Sequence, residues 1–141
     1  MVSGGSNSNS GNSSRYASIE AFEQAAEGVF KAHQSVSYIA VVDDNVARLA
    51  QKGSVSLHPT NLQKFHVQAA LLVRLSGISA ELFGALDYVS ASFDSRFAVM
   101  VAPLSSRLHV VVVTLHASKY ELDAIWRDVA DLLLKPLRLH P

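Results

Sequence analysis

Two stretches of this chain are apolar at every successive position: Tyr38-Ile39-Ala40-Val41-Val42, and Val110-Val111-Val112-Val113 within Leu108 to Leu115. Successive residues of a strand point to opposite faces, so a strand built this way is buried on both sides and lies inside a sheet. Valine-rich runs favour extended chain, and both stretches fall far short of the roughly 20 apolar residues that a membrane-spanning helix needs. The rest of the sequence must therefore supply amphipathic helices to cover the sheet and less apolar strands to flank its centre.

From Ser18 to His33, Ile19, Phe22, Ala26, Val29 and Phe30 recur at spacings of three and four, which predicts an amphipathic helix capped by Ser18. Gly28 costs that helix about 1 kcal/mol relative to alanine and is read as admitting a close neighbour. Tyr38 to Val42, the polar Asp43-Asp44-Asn45 and Val46 to Gln51 read as a β-hairpin. Turn chemistry accounts for the acidic pair, which lacks the further oxygen ligands of a hard-cation site. Lys52 to Pro59 is a polar connection, and Thr60-x-x-Gln63 reads as a capping box opening a second helix that ends near Gly77.

At about 100° per residue, the apolar side chains of this second helix form two stripes. Leu62, Phe65, Ala69, Leu72 and Val73 form one, expected against the sheet, while Val67, Leu71 and Leu75 lie nearly opposite. The second stripe is either covered by a neighbouring loop or offered to another molecule. After a connecting turn at Ser79 to Gly84, Leu86 to Phe93, Phe97 to Ala102 and Arg107 to His116 read as an antiparallel meander with short links. Leu86 to Phe93 carries Ser90 and Ser92 on one face and Val89, Ala91 and Phe93 on the other, as an edge strand does, yet no lysine, proline or inward charge blunts it between Asp87 and Asp94. Ser118-x-x-Glu121 opens a last helix, with Leu122, Ile125, Trp126, Val129, Leu132 and Leu133 on its apolar face, that Pro136 is expected to stop.

The chemistry open to the chain is narrow. Its 141 residues suit one domain, placed at residues 17–141 after a Ser/Gly/Asn-rich tail at residues 1–16 that is expected to be disordered. Twelve Lys/Arg balance twelve Asp/Glu, so the composition predicts no long-range pull toward nucleic acid or an anionic membrane, which leaves only a local basic patch open. The absence of cysteine excludes disulfides, thiolate metal sites and cysteine nucleophiles. His33, His58, His66, His109, His116 and His140 show no metal-ligand spacing, although His66 beside the core stripe suits a hydrogen-bonded or pocket role. No GxSxG elbow and no phosphate-binding glycine loop is present. The expectation is a cytoplasmic non-enzyme with no catalytic, cofactor or metal residues.

The order helix, two strands, helix, three strands, helix resembles the roadblock fold over roughly Ser18 to Pro136, with the doubly apolar strands in the central places. The run Leu62 to Leu115, including Gln68-Ala69-Ala70-Leu71-Leu72-Val73-Arg74, also resembles small single-domain archaeal proteins. The resemblance implies an α+β fold, α-β-β-α-β-β-β-α, with a five-stranded antiparallel sheet and helices on both faces. It further implies a non-catalytic dimer acting as a regulator or scaffold, often for a small GTPase. PAS- and GAF-like sensors and longin or profilin domains share related architectures. The residues assign a homodimer interface to Val67, Leu71, Arg74 and Leu75 of the second helix and to Val89, Ser90, Ala91, Ser92 and Phe93 of the edge strand. The competing reading is a small-molecule sensor whose pocket is lined by Tyr88, Phe93, His109 or His66.

Overall fold

The computed structural model describes residues 19–139, with the backbone alone at Ser76, Gly77 and Leu139. The tail at residues 1–16, the Ser18 cap and His140 lie outside them. Helix α1 (residues 19–32) precedes β1 (Val36–Asp43) and β2 (Arg48–Gly53). Helices α2 (Pro59–Ile78) and α3 (Ala80–Phe83) follow, then β3 (Val89–Ser92), β4 (Phe97–Pro103) and β5 (Leu108–Leu115). The chain closes through α4 (Lys119–Asp128), a π-helical stretch (Val129–Leu134) and α5 (Lys135–Leu139).

The five strands form one antiparallel sheet in the order β2-β1-β5-β4-β3, so the two doubly apolar strands are central and pair with each other. Alternation sends Ile39, Val41, Val110 and Val112 into a core with Phe22, Ala26 and Val29 of α1 and Leu122, Ile125 and Trp126 of α4. Ala40, Val42, Val111 and Val113 face the other way, under Ala69 of α2. A register shift between Val36 and Tyr38 reverses the parity of β1, so that Val36 joins the first core and Tyr38 the second.

Several local expectations are corrected. The cap of α2 is His58, not Thr60: the His58 carbonyl accepts from Leu62 N–H at 2.9 Å, and its Nδ1 accepts from Thr60 N–H at 3.2 Å. Pro59 then occupies the first helical position, where its missing N–H has no intrahelical partner to lose. The second strand starts at Arg48, because Val46 takes φ 66° in the turn that precedes it. Edge strand β3 has four residues and not the eight of Leu86 to Phe93. Extending its register would set Asp87 opposite Pro103, which has no N–H, and both carbonyls accept from Arg138 instead.

Pro136 does not end the last helix. The π-helical stretch, in which Lys135 N–H bonds to Ala130 O, widens the turn before it and absorbs the proline, and helix continues to Leu139. Gly28 admits no neighbour, since a Cβ there would meet open space. The capping box at the start of α4 is present, with Ser118 Oγ accepting from Glu121 N–H at 3.2 Å and Glu121 Oε1 accepting from Ser118 N–H at 3.3 Å. No described helix is long and apolar enough to cross a membrane.

Candidate interaction surface

Helix α2 is held over the sheet by polar contacts on its β1–β2 side. His66 is fully buried, and its Nε2 lies 3.1 Å from the Tyr38 hydroxyl. Tyr38 in turn donates to Gln51 Oε1 at 3.3 Å, an oxygen that also accepts from Arg48 at 2.9 Å. The direction of this chain assigns the imidazole proton to Nε2 and leaves Nδ1 as a buried acceptor without a protein partner. Burial, aided by the nearby Arg48 charge, pushes the His66 pKa down to about 4, so the ring is neutral at physiological pH. Burial also raises the Tyr38 pKa, against the opposing pull of Arg48, and lowers that of His109. At the far end of the helix, Arg74 donates to the Asp44 carbonyl at 2.8 Å and fastens α2 to the β1–β2 turn.

On its opposite side, α2 stands clear of β3. The gap is an open cavity of about 260 Å³ with an apolar floor of Val89, Ala91, Val99, Val101 and Val113. Phe65, Gln68, Ala69 and Leu72 of α2 form one wall, and Val55 and Leu57 form another. Phe93, Ser95 and Phe97 of the β3–β4 hairpin close the end. Of the residues expected to line a sensor pocket, Phe93 does so, whereas Tyr88, His66 and His109 are absent from the lining. Leu72, expected against the sheet, stands at the cavity wall and is 41% exposed; of the expected stripe, Ala69 is buried and Phe65 and Val73 pack half-buried on the same core, joined by the buried His66 and Ala70.

The nine residues assigned to an interface divide into groups. Val67, Leu71 and Leu75 share the outer face of α2, all exposed, with Leu75 at 63%. Arg74 is engaged within its own chain at Asp44. Val89, Ala91 and Phe93 face the cavity, while Ser90 and Ser92 are exposed. Phe93 N–H donates to Phe97 O across the hairpin, so the alternation of an antiparallel ladder directs the backbone groups of Ser90 and Ser92 to the edge that no described strand pairs. The other edge, β2, is blunted by Arg48 and Lys52 and by an irregular register at Val41/Val42.

The sequence reading missed Ile78, Leu82 and Phe83, which extend the exposed apolar face past the end of α2. Their signal was present, because Leu82 stands four positions after Ile78 and the helical spacing runs on through the supposed turn. Among the described residues, no group of three or more His, Asp or Glu side chains is placed to hold a metal ion.

No family model and no curated protein matches the sequence. Solved structures do match the fold. The gliding protein MglB of Thermus thermophilus superposes with a TM-score of 0.66 at 15% identity, covering 87% of this chain and 93% of that one. An MglB in a tetrameric arrangement gives 0.65 at 16% identity, over 89% and 93%. A Roadblock/LC7 domain from Streptomyces avermitilis gives 0.53 at 16% identity, over 76% and 92%. With its five-stranded antiparallel sheet between helices, the chain has the roadblock fold.

Proposed function

We propose that this protein is a non-enzymatic, cytoplasmic interaction module that forms a homodimer through α2 and β3 and presents the composite surface to a regulatory protein partner. The observation that carries the reading is the continuity of three features: the apolar outer face of α2, the open cavity beside it and the unblunted β3 edge. A surface with that much large apolar side chain, rimmed by polar groups, marks a protein contact. Antiparallel pairing of β3 with its copy about a two-fold axis joins two sheets into one of ten strands and satisfies the backbone groups of Ser90 and Ser92. Val67, Leu71 and Leu75 of the two copies then lie across the same axis. The resemblance to roadblock proteins points to a small GTPase as the partner class, and the tetrameric arrangement recorded for an MglB is in keeping with self-association.

Ser90→Pro tests the shared sheet. It removes an N–H directed at the free edge and leaves the ladder to β4 intact, which Ala91→Pro would cut. Sedimentation should show a dimer for the wild type and a monomer for the variant, with circular dichroism unchanged. A wild type that stays monomeric at every accessible concentration refutes the dimer. Binding of purified small GTPases in their GDP and GTP states, followed by calorimetry, tests the partner class.

A further inference from the structure

Resting on that dimer, we propose that the α2–β3 cavity is a socket for Phe83 of a second copy, filled reciprocally about the two-fold axis. At about 260 Å³ the socket is smaller than the roughly 300–1,000 Å³ of sites that bury drug-sized molecules, and it suits one or two apolar side chains. Gln68 and Ser95 are the polar residues in its lining, too few to hold ordered water throughout.

The matching knob is on the same chain. Helix α3 contributes no buried residue to its own fold, and Phe83 is 84% exposed, with Leu82 close behind. One turn of helix that displays two large apolar side chains gains nothing from the core of its own chain, and leaving them in water is unfavourable.

Topology brings knob and socket together. The middle of α2, from Phe65 to Leu72, lines the socket, and the chain continues through the end of α2 at Ile78 to Phe83 on α3, so the knob is separated along the chain from its own socket. Antiparallel pairing about a two-fold axis reverses the second copy. The start of its β3 then meets the end of the first, where Phe93 and Ser95 form the socket's rim. Residue 83 precedes the start of β3 by only six positions, so α3 of the second copy is tethered within about 20 Å of that rim.

The areas agree. A stable interface takes about 800 Å² from each partner, and an aromatic anchor supplies about 150–250 Å². Leu71, Leu75, Ile78, Leu82 and Phe83, each at least half exposed, together with β3, carry area of that order.

The lack of cysteine makes a clean test. The full chain is co-expressed as two single variants, Phe83→Cys and Ser95→Cys, and oxidised. A mixed disulfide between the two variants, detected by non-reducing mass spectrometry, is expected. Phe83→Ala should raise the dimer dissociation constant by about a hundredfold or more with an unchanged circular dichroism spectrum, since each dimer loses two anchors. Absence of the mixed disulfide from a protein that still dimerises overturns the socket and leaves the dimer standing. A copurifying apolar small molecule seen by native mass spectrometry, with unaltered dimerisation of Phe83→Ala, likewise overturns it. A monomeric wild type overturns both readings.

Discussion

Acid should loosen this fold through His66 in a way that a non-titrating side chain abolishes. The ring is fully buried and its pKa is depressed from 6.5 to about 4, because burial opposes the charged form. In the unfolded chain the same histidine protonates near 6.5, so between these values the unfolded state binds the extra proton. Stability is therefore complete above about pH 6.5 and falls as the pH drops toward 4. The linkage relation puts the loss at about 2 kcal/mol by pH 5 and about 3 kcal/mol by pH 4, a large part of a typical domain's 5–15 kcal/mol. Buried His109 is shifted in the same direction and adds to the decline, so the contribution of His66 is isolated by comparison with His66→Gln. Glutamine stays neutral and can still reach the Tyr38 hydroxyl. Urea unfolding at pH 7, 5 and 4 should show the wild type losing about 2 and then about 3 kcal/mol more than the variant. Parallel curves for the two proteins, or a native His66 resonance titrating near 6.5, would refute the reasoning.

Two glycines should respond in opposite directions to alanine. Gly28→Ala stabilises by about 1 kcal/mol in urea unfolding, since the added methyl meets nothing and the helix gains propensity. Gly53→Ala destabilises by about 1–3 kcal/mol or more, because φ is +80° and the new Cβ collides with the Ser37 carbonyl. On α2, Leu71→Asp and Leu75→Asp should dissociate the dimer, seen by light scattering, while urea unfolding of the monomer stays within about 0.5 kcal/mol of wild type. Leu72→Asp should also leave the fold intact, because the side chain stands at an open cavity wall and its charge can reach water.

How far the sequence could be read depended on whether a pattern was local. The central strands were legible because Tyr38–Val42 and Val110–Val113 are apolar on both faces whatever packs on them. The α4 capping box was legible because both of its hydrogen bonds close within four residues. The cap of α2 was not, since Thr60-x-x-Gln63 fits the pattern while His58 and Pro59 supply the geometry. The length of β3 depends on Arg138, 51 residues away, and on a proline in the neighbouring strand. Leu72 fell on the expected core stripe, but a helical wheel shows which side chains share a face and not where the helix sits above the sheet. The sequence correctly marked His66 as a hydrogen-bonded candidate, yet its partner Tyr38 was legible only as a strand residue.

Where α2 sits follows from widths. Neighbouring strands are about 4.8 Å apart and a helix with its side chains is about 10–12 Å across, so one helix covers roughly two to three strands. On one face, α1 and α4 share the sheet. On the other, α2 is alone among the described helices in packing on the core, and a single helix cannot cover five strands. Helix α2 approaches β4 and β5 most closely, and the contacts of His66 with Tyr38 and of Arg74 with Asp44 tie it back toward the β1 side, so the shortfall falls on β3. Among the described residues, the cavity and the exposed Phe93 are thus one consequence of three covering helices serving two faces. A further apolar element laid beside α2 would complete the layer, and in the proposed dimer α3 of the second copy supplies it through Phe83. On this account, moving α2 should change the cavity and the self-association together. Arg74→Ala releases one anchor, and weaker dimerisation of that variant with an intact fold would tie the interface to the seating of the helix, whereas unchanged dimerisation would separate them.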